Sequence, residues 1–241
     1  MKILSIIIPV FNEAKYITTV LKTVQKTNIP GFEKEIIVID DSSTDQSKTK
    51  VKKFKAKTSK PTQVILIEHK VRQGKGAAVK TGLLKASGDI VIIQDADLEY
   101  NPADYPLLLE PFLKYEAHVV YGSRFISYQP HRVLYYWHAV ANTILTTFSN
   151  MLTNLNLTDL ETGYKAFRGD LIRKIAPKLQ AKDFGFEPEI TARLAKIENI
   201  KFYEVGISYQ GRTYKEGKKI GFWDAVKAFG QIIKYNLLVS D

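Results

Sequence analysis

Four short runs of consecutive Ile, Val and Leu, set apart by segments of helical character, restrict this chain to few folds. The runs are Ile3–Val10, Glu35–Asp40, Val64–Glu68 and Asp89–Gln94. A strand with one face in water alternates apolar and polar residues, whereas a strand covered on both faces reads as an unbroken aliphatic run. Between the runs lie a helix from about Ala14 to Lys26, a lysine-rich helix, and a helix beginning near Gly76 with Ala77, Ala78 and Leu83 inward. Alternating strands and helices imply right-handed crossovers and a mostly parallel sheet. The expected class is therefore α/β, a mostly parallel central sheet flanked by helices.

Beyond Tyr100 the pattern predicts a helix over Ala103–Lys114, a strand over Val119–Gly122, another over residues 201–208, and a closing helix over Trp223–Leu238. From Trp137 onward, Val140, Ile144, Phe148, Met151 and Leu155 recur at helical spacing and predict a long amphipathic helix. Core packing is the first reading of that stripe; contact with a membrane surface or a lipid acceptor is the second. No repeat, linker or domain boundary interrupts residues 1–241, which are expected to form one domain.

The fourth run ends in Gln94-Asp-Ala-Asp97. Residues i and i+2 of an extended segment point to one side, so Asp95 and Asp97 converge. They do so at a strand end, where open α/β sheets bind their ligands. Two carboxylates, with other positions left to water and phosphate oxygens, suit Mg²⁺ or Mn²⁺ carrying a diphosphate. Asp-x-Asp alone is a weak signal that often only caps a turn; its place after an aliphatic strand strengthens it.

Composition narrows the chemistry. The 241 residues contain no cysteine, which excludes thiolate metal sites, disulfides and thiol nucleophiles. A net charge of +10 implies an acidic partner: nucleotide phosphate, anionic lipid or nucleic acid. The run Lys48, Lys50, Lys52, Lys53, Lys55, Lys57 and Lys60 reads first as a solvated helix face, and no nucleic-acid motif accompanies it. The first residues lack the layout of a signal peptide. No stretch reads as a clean transmembrane helix.

Five motifs in order resemble one family: Ser5-Ile-Ile-Ile-Pro-Val-Phe-Asn-Glu13, Ile37-Val-Ile-Asp-Asp-Ser-Ser-Thr-Asp45, Gly74-Lys-Gly-Ala-Ala78, Gly88-Asp-Ile-Val-Ile-Ile-Gln-Asp-Ala-Asp97 and Gly122-Ser-Arg124. Together they look like glycosyltransferase family 2, and within it the polyprenyl-phosphate branch. The resemblance covers residues 3–220. It implies a GT-A fold with a Rossmann-like nucleotide-binding half (residues 1–100) and an acceptor-binding half (residues 101–241). It also implies a nucleotide-sugar donor, a divalent metal (Mg²⁺ or Mn²⁺) and inversion at the anomeric carbon.

By that resemblance Pro9, Phe11 and Glu13 contact base and ribose, and Asp41 accepts a hydrogen bond from the base. Asp40 reads instead as a turn cap. Gly74-Lys75-Gly76 opens a helix whose positive end would face an anion, and Lys75 and Arg72 would neutralise the diphosphate. Asp95 and Asp97 would hold the metal; Glu99 stands where mannose-transferring relatives commonly carry Gln, so it either adds a ligand or faces solvent. Arg124 resembles the arginine that meets an acceptor phosphate, with Arg132 a second candidate; the alternative is an arginine tied to a structural carboxylate. Thr158-Asp-Leu-Glu-Thr-Gly-Tyr-Lys165 matches a region beneath the acceptor site, and Phe184-Gly-Phe-Glu-Pro-Glu189 follows it. Residues 210–219, with Arg212 and Lys218, resemble a basic loop closing over the diphosphate.

A lipid phosphate acceptor is already anionic, whereas a hydroxyl acceptor must lose a proton, for which Asp159, Glu161 and Glu187 are candidates. The favoured reading is hexose transfer from UDP-glucose, then GDP-mannose, to a polyprenyl or dolichyl phosphate. The second is transfer to a glycan hydroxyl in cell-surface polysaccharide synthesis. The preference for glucose follows residues 154–159 and 185–189, which look closer to glucosyl-transferring relatives. Membrane helices frequent in the branch are not seen, implying peripheral action at the cytoplasmic face or a separate membrane-protein partner. A sugar nucleotidyltransferase would want a Gly-rich loop after the first strand, and a dinucleotide oxidoreductase Gly-x-Gly-x-x-Gly; Pro9-Val-Phe-Asn-Glu13 stands there instead. A membrane-binding adaptor built on the lysine run would need neither Asp95 nor Asp97.

Overall fold

The computed structural model describes residues 1–58, 62–126, 132–133, 135–183, 185–213 and 222–239, the side chains of 222–224 excepted. Its centre is a seven-stranded sheet in the order β3-β2-β1-β4-β6-β5-β7. The strands are β1 (Lys2–Val10), β2 (Phe32–Asp40), β3 (Thr62–Glu68), β4 (Ile90–Ile93), β5 (Val119–Ser123), β6 (Lys165–Arg168) and β7 (Phe202–Gly206). The four aliphatic runs are β1 to β4, all parallel to one another. Ile6, Ile7, Ile8, Ile36 to Ile39 and Val91 to Ile92 have no exposure, so both faces of this half are covered as the unbroken runs require.

Chain order reverses beside β1: β2 and β3 lie to one side and β4 to the other. β4 pairs with β1 only from Leu4↔Ile90 to Ile7↔Ile93. Pro9, which has no N–H to donate, lies past the last of these rungs, where the two strands part and a crevice opens. Helices α1 (Ile17–Lys26), α2 (Ser47–Ala56) and α3 (Lys75–Lys85) connect these strands, and α4 (Tyr105–Lys114) precedes β5.

Three elements differ from the sequence expectation. β6 is antiparallel to both β4 and β5, and its Lys-Ala-Phe-Arg has no aliphatic run to announce it. The helices α6 (Gly169–Ile175) and α7 (Phe186–Ala195) were also not foreseen. α7 is buried from Phe186 to Leu194, so no stripe betrays it; its charges are matched inside, Arg193 to Glu189 at 2.9 Å.

The long helix α5 (Tyr136–Thr153) forms as expected, but only part of the predicted stripe packs inward: Phe148 and Leu155 meet core clusters, whereas Ile144 and Met151 do not. Ile144 and Met151 are 57% and 76% exposed, while Asn142, Thr146 and Ser149 are buried. The reason is hydrogen bonding. Thr146 Oγ1 accepts from Leu160 N at 3.0 Å, and Asn150 brackets Leu157 through its backbone N–H and carbonyl. α5 thus turns its polar side inward to hold the segment 157–160. Leu145 packs with Ala228 and Ile232 of α8 (Phe222–Ile233), and Phe148 stacks on Phe229 at 4.2 Å.

Candidate active site

A cleft of about 710 Å³ opens at the carboxyl ends of β1, β2 and β4. Pro9, Phe11, Glu13, Asp41, Arg72, Lys75, Asp95, Asp97, Glu99, Arg124, Glu187 and Arg212 all line it. Residues spread from 9 to 212 meet there because parallel strands deliver their following loops to one edge.

The acidic motif is bent into place by backbone strain. Leu98, between Asp97 and Glu99, has φ +66°, a conformation an ordinary side chain adopts at a cost. Asp97 Oδ1 accepts from Glu99 N at 3.1 Å and its Oδ2 takes Arg212 Nη2 at 2.6 Å. Glu99 receives Arg212 Nε at 2.9 Å and the Tyr209 hydroxyl at 2.7 Å. Lys75 Nζ stands 3.0 Å from Asp95 and 3.4 Å from Glu187. Burial opposes the Lys75 charge, yet Asp95 and Glu187 outweigh it and hold its pKa above the usual lysine value. Burial, together with Asp95 and Glu99 nearby, pushes the Asp97 carboxyl up to about 7.

That crowding is the observation against which a divalent ion is judged. Hard carboxylate oxygens with mutual repulsion fit Mg²⁺ or Mn²⁺, and Asp95 and Asp97 both line the cleft. Among the described residues no cluster of three or more acidic or histidine ligands forms, because Glu99 is turned to Tyr209 and Arg212. Two carboxylates with water and phosphate oxygens remain an adequate set for Mg²⁺.

The loops around the motif are rigidly tied. Asn12, at φ +54°, accepts Thr44 N at 2.9 Å and so joins the β1 and β2 loops. Asp41 accepts from Gln73 N at 2.9 Å and Gly74 N at 2.8 Å and pairs with His69 at 2.7 Å. Asp40 accepts from Ser43 N at 3.1 Å, as a turn cap should. Both acids therefore hold loops, where the sequence had divided the work between base recognition and capping. Arg72 lies over the Phe11 ring at 4.2 Å and lines the cleft with Lys75. Gly74 has φ +101°, and the amino end of α3 is partly covered: Ala77 N donates to Lys182 O at 3.1 Å.

At the other end, Arg124 Nε and Nη2 meet Asp159 at 2.6 and 2.7 Å, a bidentate pair with Asp159 wholly buried. Both readings of Arg124 hold at once: it is tied to a structural carboxylate and it lines the cleft. Asp159 is correspondingly not on the cleft wall, and both of its oxygens are taken by Arg124. Arg132 is also off the wall; its Nη1 donates to Gly211 O at 3.2 Å. Lys218 and Phe184 lie outside the described residues. Tyr209 was missed by sequence: it donates to Glu99 while its ring underlies Arg124 at 5.2 Å, joining the two ends of the site. Nothing local marks it; only its sheet-edge bridge to Tyr100 brings it in.

Behind Arg124, Glu161 is pushed up to about 8 by burial and by Glu187. Lys165 beneath it is pushed down to about 8 by burial and donates to Leu160 O at 2.8 Å.

The family profile described as Glycosyl transferase family 2 matches residues 5–176, which is most of the chain and all five motifs. The chain belongs to glycosyltransferase family 2. It is a glycosyltransferase, and the sheet and cleft are those of the GT-A fold. A similar protein is the UDP-N-acetylglucosamine–dolichyl-phosphate N-acetylglucosaminyltransferase of Methanococcus voltae, 28% identical, covering 96% of this chain and 95% of that one. Another is the undecaprenyl-phosphate mannosyltransferase of Micrococcus luteus, 26% identical over 92% of this chain and 88% of that one. Both names fall in the polyprenyl-phosphate branch that the motifs resemble. Among solved structures, glucosyl-3-phosphoglycerate synthase of Mycobacterium tuberculosis with Mn²⁺, UDP and phosphoglyceric acid superposes with a TM-score of 0.73. It is 18% identical, with 100% of this chain and 80% of that chain covered, which supports the fold alone. The same enzyme with Mg²⁺ and UDP gives 0.71.

Proposed function

We propose that this glycosyltransferase moves a hexose from a nucleotide sugar to a polyprenyl phosphate, with inversion at the anomeric carbon and with Mg²⁺ or Mn²⁺. One observation carries the reading: a fixed guanidinium, Arg124, faces the same cleft as the Lys75–Asp95–Asp97 cluster. Lys75 and Arg212 would hold the diphosphate, and Pro9, Phe11, Glu13 and Arg72 the base and ribose. A divalent cation bound by Asp95 and Asp97 supplies charge stabilisation for the departing nucleoside diphosphate. Arg124, oriented by Asp159, would present two parallel N–H groups to the acceptor phosphate. That acceptor is anionic at neutral pH and attacks without losing a proton.

The work divides largely along the chain, residues 1–100 serving the donor and 101–241 the acceptor, with Arg212 crossing to the donor's diphosphate. The two curated relatives support the lipid acceptor by their names. UDP-glucose is the first donor to test and GDP-mannose the second; the Methanococcus voltae relative adds UDP-N-acetylglucosamine. Among the described residues no helix is long and apolar enough to cross a membrane. Peripheral attachment to the cytoplasmic face is supported by the net charge of +10 and by Tyr136 and Trp137, 71% and 73% exposed at the start of α5. A membrane-protein partner would serve the same end. A second reading, transfer to a hydroxyl, is favoured by one feature: Glu187 has a buried oxygen without a hydrogen-bond partner and could take a proton.

The deciding experiment offers labelled UDP-glucose, UDP-N-acetylglucosamine and GDP-mannose in parallel, with Mn²⁺ and undecaprenyl or dolichyl phosphate. Label in the organic phase is expected. Donor consumption without lipid label would reject the phosphate acceptor in favour of a hydroxyl.

A further inference from the structure

Two carboxylate oxygens in the cleft have no partner. Glu187 Oε2 and Glu161 Oε1 are both buried and make no hydrogen bond, although their residues line the cavity. Glu187 is 5% exposed and sits in the first turn of α7, whose amino end favours its charge. Folded proteins tolerate few such unsatisfied buried atoms. Two in one wall leave hydrogen-bonding positions that a polar ligand can fill.

Their position says which part of the ligand. Glu187 Oε1 is 3.4 Å from Lys75, which is itself 3.0 Å from Asp95, so this residue borders the diphosphate end. Glu161 lines the same cleft within electrostatic reach of Arg124 and Asp159, so it borders the acceptor end. Whatever lies between a donor diphosphate and an acceptor phosphate is the group being transferred. A third anion would be repelled there, whereas a neutral group rich in hydroxyls supplies the missing donors.

We propose that Glu161 and Glu187 are the specificity-determining pair that reads hydroxyls of the transferred sugar, each accepting from one. The inference rests on the nucleotide-sugar reading above and extends it: selectivity among hexoses is set by these two side chains from the acceptor half. Neither residue acts as a base here, since a phosphate acceptor has no proton to give up.

The test pairs deletions on the two partners. Whichever of UDP-glucose, UDP-N-acetylglucosamine and GDP-mannose is used best is compared with its singly deoxygenated analogues, in wild type, Glu161→Gln and Glu187→Gln. A site built around a hydroxyl rejects the analogue lacking it by roughly tenfold or more in kcat/KM. Each variant is expected to lose that rejection at one hydroxyl and keep it at the others, while the free nucleoside diphosphate binds within about twofold of wild type. Glu187→Ala repeats the measurement without an amide that could still accept; Glu161→Gln, at a less buried position, keeps the test open if Glu187 variants fold poorly. Full discrimination retained at every hydroxyl would overturn the proposal, as would parallel loss of nucleoside diphosphate affinity. A collapse of kcat with discrimination intact would overturn it in favour of a base. If none of the three nucleotide sugars binds while the nucleoside diphosphate does, the donor reading itself falls, and this inference with it.

Discussion

Separating Arg124 from Asp159 is the most informative perturbation of this site. Asp159 has no exposure and its two oxygens take Nε and Nη2 of Arg124 at 2.6 and 2.7 Å. Asp159 also accepts from Arg124 N at 3.1 Å, so its charge fixes both the side chain and the start of the loop after β5. Removing one member of a buried pair strands the other, which typically costs about 3–5 kcal/mol. Arg124→Ala and Asp159→Ala are each expected in that range. The double variant should cost far less than their sum, a coupling of about 2–3 kcal/mol, because no charge is left uncompensated. With a urea slope of about 2–3 kcal/mol per molar for a chain this size, each single change should lower the unfolding midpoint by about 1 M or more. The kinetic signature separates structure from function. Asp159→Asn leaves Arg124 itself in the cleft but misorients it, so KM for polyprenyl phosphate should rise about tenfold while KM for the nucleotide sugar holds. Additive stabilities within about 0.5 kcal/mol, or equal changes in both KM values, would refute the assignment.

Asp97→Asn should lower kcat/KM at least about a hundredfold and abolish the Mn²⁺ response; near-normal transfer by this variant would remove the metal role from the motif. Gly74→Ala would put a Cβ 2.2 Å from Asp183 Oδ1 and 2.3 Å from Lys182 O at φ +101°, so a loss of about 2 kcal/mol or more is expected by denaturant unfolding. Glu161 titrates near 8 in the folded chain, against an ordinary carboxyl value of 4.5. A raised carboxyl pKa means the folded state holds its proton longer, so the group's destabilising effect appears as pH rises above 4.5 and is complete past 8. Glu161→Gln should therefore raise the melting temperature more at pH 9 than at pH 5; an equal shift at both would contradict the burial of that carboxyl. Trp137→Ser with Ile144→Ser should weaken flotation with anionic vesicles severalfold and leave the unfolding midpoint alone, since these side chains are 73% and 57% exposed.

Much of the donor side was legible before any coordinate. Four unbroken aliphatic runs could be satisfied only as strands buried on both faces, and parallel strands bring their carboxyl ends to one edge. Asp95 and Asp97 were placed at a strand end by local pattern, Pro9 and Glu13 beside a donor by the family resemblance, and all four line one cleft. The acceptor side was legible in motifs but not in geometry. β6 runs against its neighbours on a four-residue segment with a buried lysine, and α7 is covered all round, so neither has the periodicity that a single sequence displays. The α5 stripe misled for a related reason: hydrophobic spacing does not say which face has hydrogen bonds to make, and Asn142, Thr146 and Asn150 had them.

The sequence by itself determined the class of fold, the family, and the identity of the charges that line the cleft, because these depend on residue types within short windows. Only the tertiary structure decided how those charges are shared. Arg212 reaches Asp97 and Glu99 across more than a hundred residues of chain. Asp159 serves Arg124 instead of a proton, and Glu187 and Glu161 are left with oxygens to offer. Which acid is neutralised and which stays available depends on a few ångströms of separation and on burial, and neither is written in any local stretch of residues.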